Sequence, residues 1–118
     1  MATKKLETVA DVDIDPEGTF KYVLIKVHDS EESKLIVRGW KWAEYHADIY
    51  DRTSSQLQKL GLDTEVLGGG RIQHNPSSKQ LKVYGYSVGF GKADHEQSCS
   101  ILKKHFPSYS ITSSDEGY

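Results

Sequence analysis

The stretch from Thr19 to Val27 constrains the fold most. Read as a strand, it sends Phe20, Tyr22 and Leu24 to one face and Lys21, Val23, Ile25 and Val27 to the other. Both faces are largely apolar. A strand of that kind must be covered on both sides, so it belongs in the middle of a layered sheet. Only Lys21, near its start, interrupts an otherwise aliphatic face. Upstream, Ala10, Val12 and Ile14 alternate with Asp11 and Asp13 as a strand, and Asp15-Pro16-Glu17-Gly18 reads as a tight turn. These two strands are expected to pair as a hairpin. Residues 1–8 are polar and are expected to fray.

After a polar loop at 29–33, residues 34–40 form a third strand. Tyr50, Thr53, Leu57 and Leu60 then recur at the three-and-four spacing of a helix face, predicting a helix over about 44–60 that stops at Gly61. Asp63 to Gln73 is extended and contains Gly68-Gly69-Gly70. No Lys-Ser or Lys-Thr follows, so this is not a Walker loop, and it reads as a bulge or a close backbone approach. Gln80 to Ser87 is another alternating strand, Gly89-Phe90-Gly91 a flexible connection, and 94–106 a second helix capped by Asp94 and ended by Pro107. Tyr109 to Thr112 is a short last strand. The order β-β-β-α-β-β-α-β predicts an α+β fold, a mixed sheet of about six strands with two main helices packed on it. With 118 residues and no repeat, linker or low-complexity tract, the chain is expected to be one domain spanning 1–118.

Composition narrows the function classes. There is no long apolar run, and mean hydropathy is −0.59, so nothing is expected to span a membrane. Met1 to Leu6 lack the apolar core of a signal peptide, which makes the cytoplasm the expected location. A net charge of −2 gives no general reason for nucleic-acid binding, so an anion site must come from a few local cations. The single cysteine, Cys99, excludes an internal disulfide and fits a reducing compartment. The segment after it lacks the arginine of a cysteine-phosphatase loop, so Cys99 is expected to be structural. Asp11-Val12-Asp13-Ile14-Asp15 only superficially resembles a calcium loop, because Pro16 takes the required glycine position and Tyr22 the final glutamate position. His28, His74, His95 and His105 show no zinc-ligand spacing, so no metal site is expected.

Residues 38–50, Arg38-Gly39-Trp40-Lys41-Trp42-Ala43-Glu44-Tyr45-His46-Ala47-Asp48-Ile49-Tyr50, join the third strand to the first long helix. His46 should therefore lie at or near a helix start. There unpaired amides and the positive end of the dipole favour an anion such as phosphate. A neutral imidazole beside bound phosphate can take a proton from water or attack phosphorus itself. An arbitrary histidine is more often a surface or capping residue. Lys21 reads either as a strand-end lysine reaching water or as a point charge against phosphate. Arg38 and Arg71 read as halves of weak surface ion pairs or as bidentate phosphate ligands. Ser87, Val88 and Gly89 form either an ordinary strand exit or a hydroxyl-and-amide cradle. Tyr84, Tyr86, Trp40 and Trp42 are better core formers than stacking platforms without a basic stripe.

Four motifs, in order, carry a resemblance: Trp42-Ala43-Glu44-Tyr45-His46-Ala47-Asp48-Ile49-Tyr50, Leu67-Gly68-Gly69-Gly70-Arg71-Ile72, Val83-Tyr84-Gly85-Tyr86-Ser87 and Asp115-Glu116-Gly117-Tyr118. With Asp11 to Asp15 at the start, they resemble the protein phosphohistidine phosphatases of the Janus/Ocnus family over nearly the whole chain. The resemblance implies a metal-independent, cofactor-free phosphatase that hydrolyses the P–N bond of phosphohistidine in proteins and releases inorganic phosphate. It is expected to act as a monomer. The family's catalytic histidine aligns with His46. Its substrate-binding lysine aligns with Lys21, within Phe20-Lys21-Tyr22-Val23-Leu24-Ile25, and its phosphate-contacting segment with Ser87, Val88 and Gly89. For Gly89 a backbone role is expected, as for the amides of Tyr45, His46 and Ala47. Arg38 and Arg71 are expected near the site, orienting His46 or recruiting substrate. The alternative is a non-catalytic phosphoprotein-binding or regulatory module that uses the same anion site.

Overall fold

The structure, a computed structural model, describes residues 3–114. The Asp115-Glu116-Gly117-Tyr118 motif lies outside the described residues. The elements are α1 (Thr3–Thr8), β1 (Val12–Ile14), β2 (Gly18–Asp29), β3 (Glu32–Gly39), α2 (His46–Gln58), β4 (Asp63–Asn75), β5 (Gln80–Tyr84), α3 (His95–His105) and β6 (Ser110–Ser113). They form one mixed six-stranded sheet in the order β1-β3-β2-β4-β5-β6. β2 is interior, antiparallel to both β3 and β4.

The two apolar faces of β2 each find a cover, as an α+β layering requires. On one side Phe20, Tyr22 and Leu24 pack with Val37, Ile72, Leu81 and Val83 beneath Leu102 of α3. On the other Val23, Ile25, Val27 and Ile36 pack with Ile49 and Leu57 of α2. Leu102 is fully buried, so Leu102→Ala removes apolar contacts and leaves a cavity. The expected cost is about 2–5 kcal/mol, read as a lowered midpoint of denaturant unfolding.

Three sequence expectations are corrected. β1 does not form a hairpin with β2. It pairs in parallel with β3, Val12 opposite Val37, and the chain crosses the end of β3 to reach β2. Asp15 pins that crossing, its amide donating to Gly39 O (3.1 Å) and its carboxylate accepting from the Lys41 amide (2.6 Å). Residues 3–8 are not frayed but helical, because Leu6 and Val9 are buried in the α2-side core. A helix this short draws its stability from such packing rather than from propensity. Lys34 reinforces the segment by donating to Val9 O and pairing with Asp11 at 2.9 Å. Finally, β5 ends at Tyr84 rather than Ser87, because Gly85 takes a positive φ of 76° and breaks the extended run.

The second long helix starts as its sequence reads. Asp94 Oδ1 accepts from the amides of Glu96 (3.1 Å) and Gln97 (3.3 Å), satisfying two orphan donors. The triple glycine lies inside β4, opposite a register shift between Leu24 and Ile25, so the bulge is real. The close backbone approach is real too, and it shapes the site.

Candidate active site

His46 is the first residue of α2, and its ring lies against the middle of β4. A Cβ on Gly69 would stand 2.7 Å from His46 Cδ2 and 2.8 Å from Tyr22 O, so only glycine leaves room for the imidazole there. The ring is held by a hydrogen bond between Nε2 and Gly70 O at 2.9 Å. A carbonyl can only accept, so the bond assigns the proton to Nε2 and leaves Nδ1 as an acceptor in the neutral ring. Burial lowers the His46 pKa. The Gly70 carbonyl opposes this, and the positive charges of Lys21 and Arg71 add to the lowering. The neutral, Nδ1-basic imidazole is therefore the form present near pH 7.

His46 forms part of the wall of a cavity of about 560 Å³, together with Lys21, Glu44, Tyr45, Ala47, Ser87, Val88, Gly89 and Phe90. Lys21 arrives from β2, where it sits directly beside Arg71 of β4. The buried Ser87 opens a small hairpin: its amide donates to Gly91 O (3.1 Å), Gly91 N donates back to Ser87 O (2.8 Å), and Ser87 Oγ accepts from Phe90 N (3.1 Å). Gly91 O also accepts from Gly69 N (3.0 Å), which fastens this hairpin to the strand that seats His46. At the hairpin tip Val88 is 87% exposed, and a Cβ on Gly89 would meet nothing within 4 Å. Residue 89 thus offers backbone rather than side chain.

The helix start divides its amides. Tyr45 N donates to Asp48 Oδ2 (2.9 Å), and Asp48 N donates to Tyr45 O (3.0 Å). The amides of His46 and Ala47 are the ones that the helix geometry leaves for an anion. Arg38 stays out of the cavity wall. It is buried, and its guanidinium donates to Val37 O (3.0 Å) and Ala10 O (2.8 Å), tying the segment before β1 to β3. Arg71 does not line the wall either, but its charge reaches His46.

Sequence reasoning missed Glu44 and Phe90 as wall residues. Phe90, read as part of a flexible connection, packs edge-on against Tyr50 with ring centroids 5.9 Å apart. It also weighed His95 only as a metal ligand. The buried His95 lies on the opposite side of the sheet, where a Cβ on Gly70 would stand 2.8 Å from its Cε1. Its Nε2 donates to Gly85 O (2.8 Å), and its Nδ1 accepts from Tyr22 Oη (2.6 Å), which also bonds Ser98 Oγ (3.0 Å). Burial pushes the Tyr22 phenol far above its usual range, so it remains a donor. Two imidazoles therefore clasp the glycine strand from its two faces, and one of them anchors the chain that leads to Ser87. No local pattern announces this, since it depends on which strand faces which helix. Among the described residues no group of three or more His, Cys, Asp or Glu side chains is placed to hold a metal ion.

Comparison with known proteins gives the arrangement a lineage. The chain is 53% identical over 124 residues to the 14 kDa phosphohistidine phosphatase of Sus scrofa, covering 99% of this chain and 98% of the relative. It is 51% identical over 125 residues to the 14 kDa phosphohistidine phosphatase of Homo sapiens, covering all of both chains. It is 56% identical over 119 residues to the sex-regulated protein janus-A of Drosophila yakuba, covering all of this chain and 88% of the relative. The Janus/Ocnus family pattern matches residues 6–110, a span that contains β1 through α3 and every residue of the cavity wall, and the chain belongs to that family.

Proposed function

We propose that this chain is a protein phosphohistidine phosphatase that hydrolyses the P–N bond of phosphohistidine in proteins and releases inorganic phosphate. The observation that carries the reading is the neutral His46 ring at the start of α2, proton on Nε2 toward Gly70 O and base on Nδ1. The names of the porcine and human relatives agree with it. Lys21, Ser87 and the amides of His46, Ala47, Val88 and Gly89 bind the phosphoryl oxygens, and Tyr45 contributes at the rim. Arg71 acts through its charge on His46 and on the anion, and Arg38 through the scaffold. Nδ1 either takes the proton of an attacking water or attacks phosphorus itself. In the first route a P–O bond forms as the substrate P–N bond breaks, and the leaving imidazole departs protonated. In the second, the phosphoryl group passes to His46 Nδ1 as the substrate P–N bond breaks and the protonated substrate imidazole leaves, and water then forms a P–O bond as the bond from phosphorus to His46 breaks. Both use positioning and charge stabilisation from the chain's own groups.

The reading includes one domain over 1–118 that acts as a monomer in the cytoplasm without metal or other cofactor. One continuous sheet through the described elements supports the single domain, and a lone cysteine fits a reducing compartment. No helix of the described residues is long and apolar enough to cross a membrane. The test is phosphate release from a phosphohistidine peptide with EDTA present. Sustained turnover is expected. Saturable binding without release would instead establish a phosphoprotein-binding module.

The acid limb of kcat/KM follows from the same ring. His46 works unprotonated, so activity is lost as pH falls through its pKa, which lies below the ordinary 6.5. Lys21→Gln removes one of the charges that lower it, so the limb moves to higher pH in the variant. Substrate titrations are common to both proteins, and the difference between their pH profiles reports His46.

A further inference from the structure

Among the described residues, no helix lies over half of the sheet on the α2 side. α2 packs on β2, β3 and β4, while on the same side Gln73, Lys82 and Thr112 are exposed. The strand register puts these side chains in rows. Lys21, Arg71 and Tyr84 stand side by side across β2, β4 and β5, and Gln73, Lys82 and Thr112 form the next row outward. No Asp or Glu stands in either row. Gln73, Lys82 and Thr112 border a shallow groove of about 220 Å³. Lys82 lies over the Tyr84 ring, 5.4 Å from its centroid, which draws the ammonium toward the row that contains Lys21. The α2 side of the cavity has the opposite character, with Glu44 in the wall and Asp48 and Asp51 in the first turns of the helix.

We propose that this bare half-sheet is the docking surface for the polypeptide that carries the phosphohistidine, and that it selects an acidic flank. The proposal rests on the phosphatase reading and goes beyond it to substrate choice. Charge complementarity directs the segment. Carboxylates are repelled by Glu44 and Asp48 and attracted by Lys82, so an acidic flank leaves the cavity over the sheet rather than over α2. Lys82 lies two strands across and one two-residue step along from Lys21, about 12 Å at ordinary strand spacings. An extended chain covers that in roughly three or four residues. Lys82 therefore reads a carboxylate about three or four positions from the phosphohistidine.

The experiment compares kcat/KM for phosphohistidine peptides carrying Glu or Gln three and four positions away, on either side, with wild type, Lys82→Gln and Lys82→Glu. Free phosphohistidine is the reference substrate. For one side, wild type should prefer the Glu peptide about two- to fivefold at low salt, the scale of an exposed ion pair, and lose the preference at high salt. Lys82→Gln should abolish it and Lys82→Glu invert it, with turnover of free phosphohistidine unchanged. Equal kcat/KM for Glu and Gln peptides in wild type, or a preference that survives Lys82→Glu, would overturn the proposal. So would a wild-type dimer in sedimentation that Lys82→Glu dissociates, since the face would then be occupied by a second copy. Failure of wild type on free phosphohistidine and on every peptide is a different result, one that removes the phosphatase reading and this proposal with it.

Discussion

His46→Ala should reduce kcat for phosphate release from a phosphohistidine peptide by at least the factor that a positioned base supplies, about 10²–10⁴-fold. Among the described residues the variant removes the only ring nitrogen in the cavity wall, while Lys21, Ser87 and the helix amides remain to bind the anion. KM is therefore expected to change far less than kcat, the pattern of an interaction made in the transition state. Circular dichroism separates this from unfolding, since His46 occupies the first position of α2 and its loss leaves the buried Ile49 and Leu57 contacts in place. A nucleophilic role predicts a deeper loss than a general base does, together with a transient phosphorylated protein in wild type under rapid quench. Unchanged turnover in His46→Ala would place the chemistry on another residue.

Gly69→Ala should be nearly as damaging, although residue 69 supplies no chemistry. The added methyl would meet His46 Cδ2 at 2.7 Å and the backbone oxygen of Tyr22 at 2.8 Å. The second contact is strand backbone at the centre of the sheet and has little freedom to yield. Overpacking of this kind costs about 1–3 kcal/mol of stability. The ring is the softer neighbour, so it moves, and the Nε2 bond to Gly70 O lengthens. A displacement of roughly 1 Å can cost on the order of 10²-fold in rate. The measurement is kcat beside the unfolding midpoint in the same variant. A large fall in kcat with a modest fall in stability is expected, whereas full activity would show that the glycine is not what seats the ring. Gly89→Ala is the natural control, because a Cβ there meets nothing.

The legible parts of this fold are those set by local pattern. The two-faced alternation of residues 20–27 implied an interior strand with a layer on each side, and the helix spacing after Tyr45 implied the α2 cover. The parallel pairing of β1 with β3 was not legible, because a four-residue turn between two strands looks the same whether the chain folds back or crosses the end of a third. α1 was missed because one short polar segment with Leu6 and Val9 becomes a helix only when a core is present to receive them. At the site, the structure brings Lys21, His46 and Ser87, which are far apart in the chain, to one wall. Arg38 carries the same charge as Lys21, but its guanidinium is drawn to the carbonyls of Ala10 and Val37. Glu44, Phe90 and the His95 clasp belong to the tertiary arrangement, and no spacing in the chain encodes them.

The sheet is bounded among the described residues by its two shortest strands, β1 with three residues and β6 with four, while the long strands β2 and β4 lie inside. Aggregation by strand addition needs a long unpaired edge, and these rims offer little template for it. Val83, Leu81 and the rest of β5 would become such an edge if β6 were lost, as would Val37, Arg38 and Gly39 of β3 without β1. The small rim strands thus act as guards against self-association for a chain whose two longest strands are held inside the sheet.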